Sequence, residues 1–343
     1  MRVGGNNMSE QRQSPAFTTA ARRAAKSWKA STPTLPDGAR APGPYRQYPS
    51  LPFCLPREFA EFNLLPQARS GGLSRFEAAG IPWHDGVSGG PSNHLLSSQV
   101  QCVNALVPFV GDPDALRRIF AASLPIAEVL PFAAHTGRGH LSPHDATDHV
   151  VFEWQGLDNH LHEWKGTPTR GSQATSADAA IRYRALDGAI ELALIEWKYT
   201  ERYPSGALST STTSTATRHS RYWPLLSSAD GPIEMGGLKF DDLLAEPVYQ
   251  LMRLTLLAHC IERAGEQHVD RVRVLYVSPA SNGALHASPC TEGYRTVMGA
   301  GSYQSTWPSL LRRPERMVFM DSAALLHPDL PLGDEYRSRY AIG

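Results

Sequence analysis

The chain has 343 residues, 41% of them hydrophobic, with 33 Lys plus Arg against 33 Asp plus Glu. That is enough to bury a large core, and the neutral balance excludes a global basic field, although basic residues can still be confined to a groove. The four cysteines, Cys54, Cys102, Cys260 and Cys290, lack Cys-x-x-Cys spacing, so buried free thiols are expected rather than a zinc site or redox pair. With no apolar run long enough for a bilayer and no signal-peptide core, a soluble cytoplasmic protein without membrane contact is expected.

The first 50 residues carry 8 Lys and Arg against 2 acidic residues and little apolar periodicity. They predict a flexible basic Pro/Ser-rich tail over 1–48, either plainly solvated or a nonspecific hold on phosphates, ahead of a single domain over 49–343. An Arg-rich, acid-poor start can also mimic a transit peptide. Arg57 to Leu65 reads as a short helix. Gly71-Gly72, Pro82, Gly86, Gly89-Gly90 and Pro91 make Ser70 to Ser92 mostly loop.

Leu95, Leu96, Val100, Val103, Leu106 and Val107 then share a helical stripe from about Asn93 to Phe109, with Ser92 as its cap. The polar members of this first core helix are Gln99, Gln101 and Asn104. Asp114 to Ala122 is a further short helix. The cluster His144, Asp145, Asp148 and His149 reads as polar turn residues more readily than as metal ligands, and Gly137-Arg138-Gly139 is too short for a phosphate fingerprint. His149 to Gln155 predicts a strand. His160 and His162, two apart, predict a solvent-facing pair.

Asp178 opens the most informative stretch. Two β-rich runs, Ala179 to Arg184 and Ala189 to Ile195, flank a turn ending in Gly188, which predicts a hairpin. Glu196 and Lys198 share one strand face, with Trp197 on the other. A two-residue loop, Asp187-Gly188, would place Asp178 opposite Trp197; a three-residue loop, Leu186-Asp187-Gly188, places it opposite Glu196. Because the longer loop wants a left-handed third residue, Gly188 favours the register that gathers Asp178, Glu196 and Lys198. Two converging carboxylates make a hard oxygen site suited to Mg²⁺ or Mn²⁺ and a phosphodiester, with Lys198 able to orient water or neutralise charge. The bland alternative is a strand-end ion pair between Glu196 and Lys198.

Tyr203 to Arg221, dominated by Ser, Thr and Ala, reads as a flexible loop running into Tyr222-Trp223. Asp241 to Arg263 predicts a long helix stopped at Gly265, with Tyr249, Gln250 and Arg253 sharing a polar stripe. Val272 to Val277 and Met317 to Met320 predict strands, with Pro279 to Gly301 as an inserted loop. After Asp321 a weak helix and an irregular tail follow. This order favours a mixed sheet between helical layers.

Asp178 followed by Glu196-Trp197-Lys198 after an apolar strand resembles the signature of the PD-(D/E)XK nuclease superfamily. Longer words resemble one branch of it, a family of bacterial restriction endonucleases. They are Pro52 to Pro56, Pro91 to Gln99, Thr175 to Ile181, Leu194 to Glu201 and Glu246 to Arg253, within a resemblance spanning roughly residues 50 to 325. It implies a restriction-endonuclease-like α/β/α core, about 93–325, with a mixed central sheet flanked by helices. It further implies Mg²⁺-dependent DNA hydrolysis (Mn²⁺ as substitute) in restriction of foreign DNA, with a cognate DNA methyltransferase and a homodimer as partners. Repair or structure-specific nucleases, and inactive DNA-binding proteins, use the same core. By resemblance Asp178 and Glu196 are metal ligands and Lys198 is the catalytic lysine. Superfamily members often add an acid on the first core helix; here that helix has none, so Glu163 or Glu153 is expected as third ligand, with Gln99 and Asn104 as polar contributors. The analogy also puts Gln250 and Arg253 at the site, and the loop after the catalytic strand offers Arg218 and Arg221 to phosphates and Tyr222 or Trp223 to bases.

Overall fold

The computed structural model describes residues 14–133, 147–166, 171, 174–203, 212–287, 290–299 and 301–342. A short hairpin joins β1 (Gly43–Tyr45) to β2 (Tyr48–Leu51). The main sheet contains β3 (Ile126–Leu130), β4 (Val150–Trp154), β5 (Ala177–Ala185), β6 (Ile190–Trp197), β7 (Arg271–Ser278) and β8 (Met317–Asp321). Its order is β3-β5-β6-β7-β8, with β4 also paired to β5. β5 is antiparallel to β3, β4 and β6, whereas β6, β7 and β8 run parallel.

The longer helices are α1 (Ser14–Ser31), α2 (Pro66–Ala78), α3 (Ser98–Leu106), α4 (Pro113–Phe120), α5 (Thr212–Leu226) and α6 (Val248–Ala264). After β7 come α7 (Gly283–His286), α8 (Glu292–Met298) and α9 (Tyr303–Thr306), and α10 (Asp334–Tyr340) follows β8. A parallel step from β6 to β7 requires a crossover, and α6 lies on that connection. It ends at Gly265, left-handed at φ 60°, as the sequence predicts. Alternation along β6 splits the core: Ala193, Ile195 and Trp197 join a cluster with residues of α1 to α4 and α10, while Leu192 and Leu194 join one with α5 and α6. The expected helix-sheet-helix arrangement is therefore present, and the fold is restriction-endonuclease-like.

Several expectations need correction. The segment read as a tail folds from Ser14 onward: Phe17, Ala21, Ala25 and Trp28 bury one face of α1 in the core, and Trp28 Nε1 donates to Glu335 at 3.0 Å. Gly71-Gly72 lies inside α2 rather than in a loop. A Cβ on Gly72 would come 3.0 Å from Val103 Cγ1, and one on Gly71 3.0 Å from Val107 Cγ1, so the bare backbone lets α2 lie close against α3. The first core helix is shorter than expected and is capped by Ser97. The Ser/Thr-rich stretch from Thr212 is helical, the inserted loop contains α7 and α8, and the C-terminal end buries Tyr336, Arg339 and Tyr340.

The His160 and His162 pair does not act as a unit. His160 Nε2 lies 2.6 Å from the buried Glu266 carboxylate. Of the polar cluster at 144–149, Asp148 is held by Arg75 at 2.7 and 3.2 Å and the His149 ring faces the Val110 carbonyl, while Gly137-Arg138-Gly139, His144 and Asp145 lie outside the described residues. The cysteines are free thiols, three buried and Cys260 half-buried. Among the described residues no helix is long and apolar enough to cross a membrane.

Candidate active site

Register assembles the site. Ala185 N donates to Ala189 O at 2.8 Å around the loop Leu186-Asp187-Gly188, and Gly188 is left-handed at φ 90°. The pairs Ala179↔Ile195 and Ala180↔Leu194 then bring Asp178 opposite Glu196, the three-residue-loop alternative. On the other edge of β5, Phe152↔Ala179 and Trp154↔Ala177 bracket Glu153 opposite Asp178. Three adjacent strands thus deliver three carboxylates to one cleft of about 580 Å³, with Lys198 beside them. Trp197 points the other way, its Nε1 donating to Gln101 Oε1 at 3.0 Å.

Burial makes these charges count. Glu196 and Lys198 are 1% and 8% exposed. Lys198 Nζ donates to Glu196 Oε1 at 2.5 Å, and Gln250 Nε2, from α6, donates to the same oxygen at 2.7 Å. Asp178 accepts the Trp197 amide at 2.6 Å. Burial, then the neighbouring charges of Glu196 and Glu153, push the Asp178 carboxyl well above the usual range, against the pull of Lys198. Burial opposes the Lys198 charge as well, but Glu196 foremost outweighs it, and the ammonium is held well above its ordinary pKa. Glu153 accepts from Gln99 at 2.9 Å and Ser176 at 2.8 Å. Among the described residues the lining includes the carboxylates of Asp85, Glu153, Asp178, Glu196 and Glu201 and the cations Lys198 and Arg253.

The third carboxylate is Glu153 rather than Glu163. Glu163 lies outside the cleft lining, accepting from the Thr175 amide and hydroxyl and from the Tyr222 hydroxyl at 2.5 to 2.7 Å. Gln99 lines the cleft as expected. Asn104 does not: it is buried, bonding Leu65 N, Asn63 O and the Tyr340 hydroxyl. Arg253 does, with its guanidinium 4.8 Å over the Tyr249 ring and, among the described residues, no hydrogen-bond partner for its buried Nε.

The residues of α5 stand outside the cleft lining. Arg218 lies over the Tyr249 ring at 5.6 Å, and neither it nor the half-buried Arg221 lines the cleft. Tyr222 is 2% exposed, hence unable to stack on a base, and Trp223 stacks on His219. Sequence reasoning missed Trp83, His84, Ser176, Glu201 and Tyr203 as lining residues. Glu201 and Tyr203 had a signal, since they directly follow the Glu-x-Lys strand.

The donors fit a hard divalent cation: the adjoining carboxylates of Asp178 and Glu196 repel each other and offer oxygens to a shared ion. Among the described residues no three His, Cys, Asp or Glu side chains form a ready cage. Mg²⁺ needs none, because it keeps waters and binds through one or two carboxylates with substrate phosphate. No curated protein and no solved structure matches the chain significantly. A family model described as restriction endonuclease associating with ARP matches residues 22–340, nearly the whole chain. By sequence and by fold, then, this chain belongs to that restriction endonuclease family.

Proposed function

We propose that the chain is a divalent-metal-dependent endonuclease that hydrolyses DNA phosphodiester bonds in restriction of foreign DNA, host DNA being protected by a cognate methyltransferase. The observation that carries this reading is the set of half-buried Asp178 with buried Glu196 and Lys198, gathered across β5 and β6 in one cleft. Asp178 and Glu196 would hold the ion, Mg²⁺ or Mn²⁺, with Glu153 within reach of its water shell. Such an ion supplies charge neutralisation at a phosphoryl oxygen and acidifies a bound water.

The protein's own groups do the positioning. Lys198, kept charged by its neighbours, stands where negative charge builds up as water attacks the phosphorus. Gln250 fixes the Glu196 carboxylate through the oxygen that Lys198 also uses, leaving its orientation to two donors rather than to solvent. Gln99 and Ser176 do the same for Glu153. Arg253, a cation in the cleft lining, is suited to hold a flanking phosphate.

Plasmid cleavage by purified protein tests this. Cutting is expected with Mg²⁺, none with chelator, and none from Glu196→Ala or Lys198→Ala protein. Persistent cutting by both variants would rule this site out.

A further inference from the structure

The neutral total charge hides a strong segregation. Residues 14–57 carry seven Lys and Arg against one acidic residue, Asp37. They are folded: α1 buries its apolar face and leaves Arg22, Arg23 and Lys26 exposed, and the Arg22 guanidinium sits 5.0 Å over Phe53, just past β2.

The β1–β2 hairpin projects from this basic segment. Its base is pinned, because a Cβ on Gly43 would fall 1.9 Å from the Leu55 carbonyl oxygen. Its tip is free of the core: Arg46 and Gln47 form the turn between paired Tyr45 and Tyr48, residues 46–50 are all exposed, and Tyr48 is 53% exposed. Arg46 is left-handed at φ 51°, a conformation that Gly or Asn would adopt with less strain.

One carboxylate ties this hairpin to the cleft. Asp85 lines the same cleft as Asp178 and Glu196, and it accepts from the Tyr45 hydroxyl at 2.6 Å and from Arg46 Nη2 at 2.7 Å. It also borders a second recess of about 300 Å³ next to the hairpin, lined by Arg46 and Arg57 among others. A two-stranded ribbon fits a DNA groove, arginine reads guanine edges, and an exposed tyrosine offers stacking or apolar contact.

Resting on the DNA-cleavage reading above, we propose that the β1–β2 hairpin is the sequence-reading element of this nuclease. Arg46, Gln47 and Tyr48 enter a groove of duplex DNA, the exposed arginines of α1 and Arg57 hold its phosphates, and Asp85 sets the hairpin relative to the reacting bond.

The test uses full-length protein and a duplex library of random sequence, sequencing the cut ends and measuring KM and kcat on a preferred site. Arg46→Ala and Tyr48→Ala are each expected to raise KM about tenfold and to erase the base preference at one or two positions. Arg46→Lys is expected to recover part of the KM but not the preference, since a point charge cannot make the bidentate contact. Unchanged KM and unchanged cut-end sequences in both alanine variants, with wild-type protein cutting normally, overturn the hairpin's role and leave the nuclease reading standing. Wild-type protein that cuts no DNA overturns both.

Discussion

β6 carries two buried glutamates five residues apart, and they have opposite surroundings. At one end Glu191, 0% exposed, is saturated: Arg273 Nε donates at 2.5 Å, Arg271 Nε pairs at 2.5 Å and the Tyr183 hydroxyl donates at 2.5 Å. Burial alone would raise its pKa, but hydrogen bonds from Arg273 and Tyr183 more than offset that and hold it below the ordinary range. At the other end Glu196 shares the Lys198 ammonium with Asp178, and Asp178 is pushed up instead of down. A buried charge with its counter-charges built in is structural, whereas crowded carboxylates that raise a neighbour's pKa mark a place completed by something that binds.

Glu196→Gln should break the end with the crowded carboxylates most visibly. Cleavage is expected to fall roughly a thousandfold or more, read by single-turnover kinetics, while circular dichroism shows a folded protein.

The saturated end should fail differently. Glu191→Gln leaves Arg273 without its carboxylate and Arg271 with Asp187 alone, and is expected to cost about 3–5 kcal/mol in urea unfolding, with cleavage per folded molecule retained. The sign follows from the lowered pKa: the folded state binds its proton less readily, so this stabilisation is present above the unfolded value of about 4.3 and is lost as pH falls through the folded one. The stability gap between wild type and variant should therefore close in acid.

A third pair sharpens the boundary of the site. Glu153→Gln is expected to slow cleavage about 10- to 100-fold, whereas Glu163→Gln, whose side chain accepts from Thr175 and Tyr222 outside the cleft lining, should cut within about twofold of wild type. The smallest effect is on stability without metal. Asp178→Asn removes a buried charge repelled by Glu196, and in chelator it should raise the unfolding free energy by about 1 kcal/mol while abolishing cleavage.

The sequence makes legible what is local. Gly188 specifies the turn, the turn specifies the register, and the register brings Asp178 to Glu196. Gly265 likewise marks the end of α6, and strand alternation separates Trp197 from Lys198. Glu153 is harder to read, because no turn joins β4 to β5 closely enough to specify their register; that pairing emerges only when distant segments meet. α1 hides behind its composition, since Ala, Ser and Arg mask the helical spacing of Phe17, Ala21, Ala25 and Trp28. α2 is concealed by a glycine pair that serves close packing against α3 instead of breaking the helix. Tyr222 could not be placed from sequence because its burial depends on Glu163 folding over it.

The most direct measurement is titration of the metal-free protein with Mn²⁺, following the free-ion signal by electron paramagnetic resonance. Wild type and Glu163→Gln should bind one ion with equal affinity, and Asp178→Asn should bind it at least about tenfold more weakly. If Asp178→Asn binds Mn²⁺ as tightly as wild type, the ion sits elsewhere and the carboxylate cluster is not the metal centre.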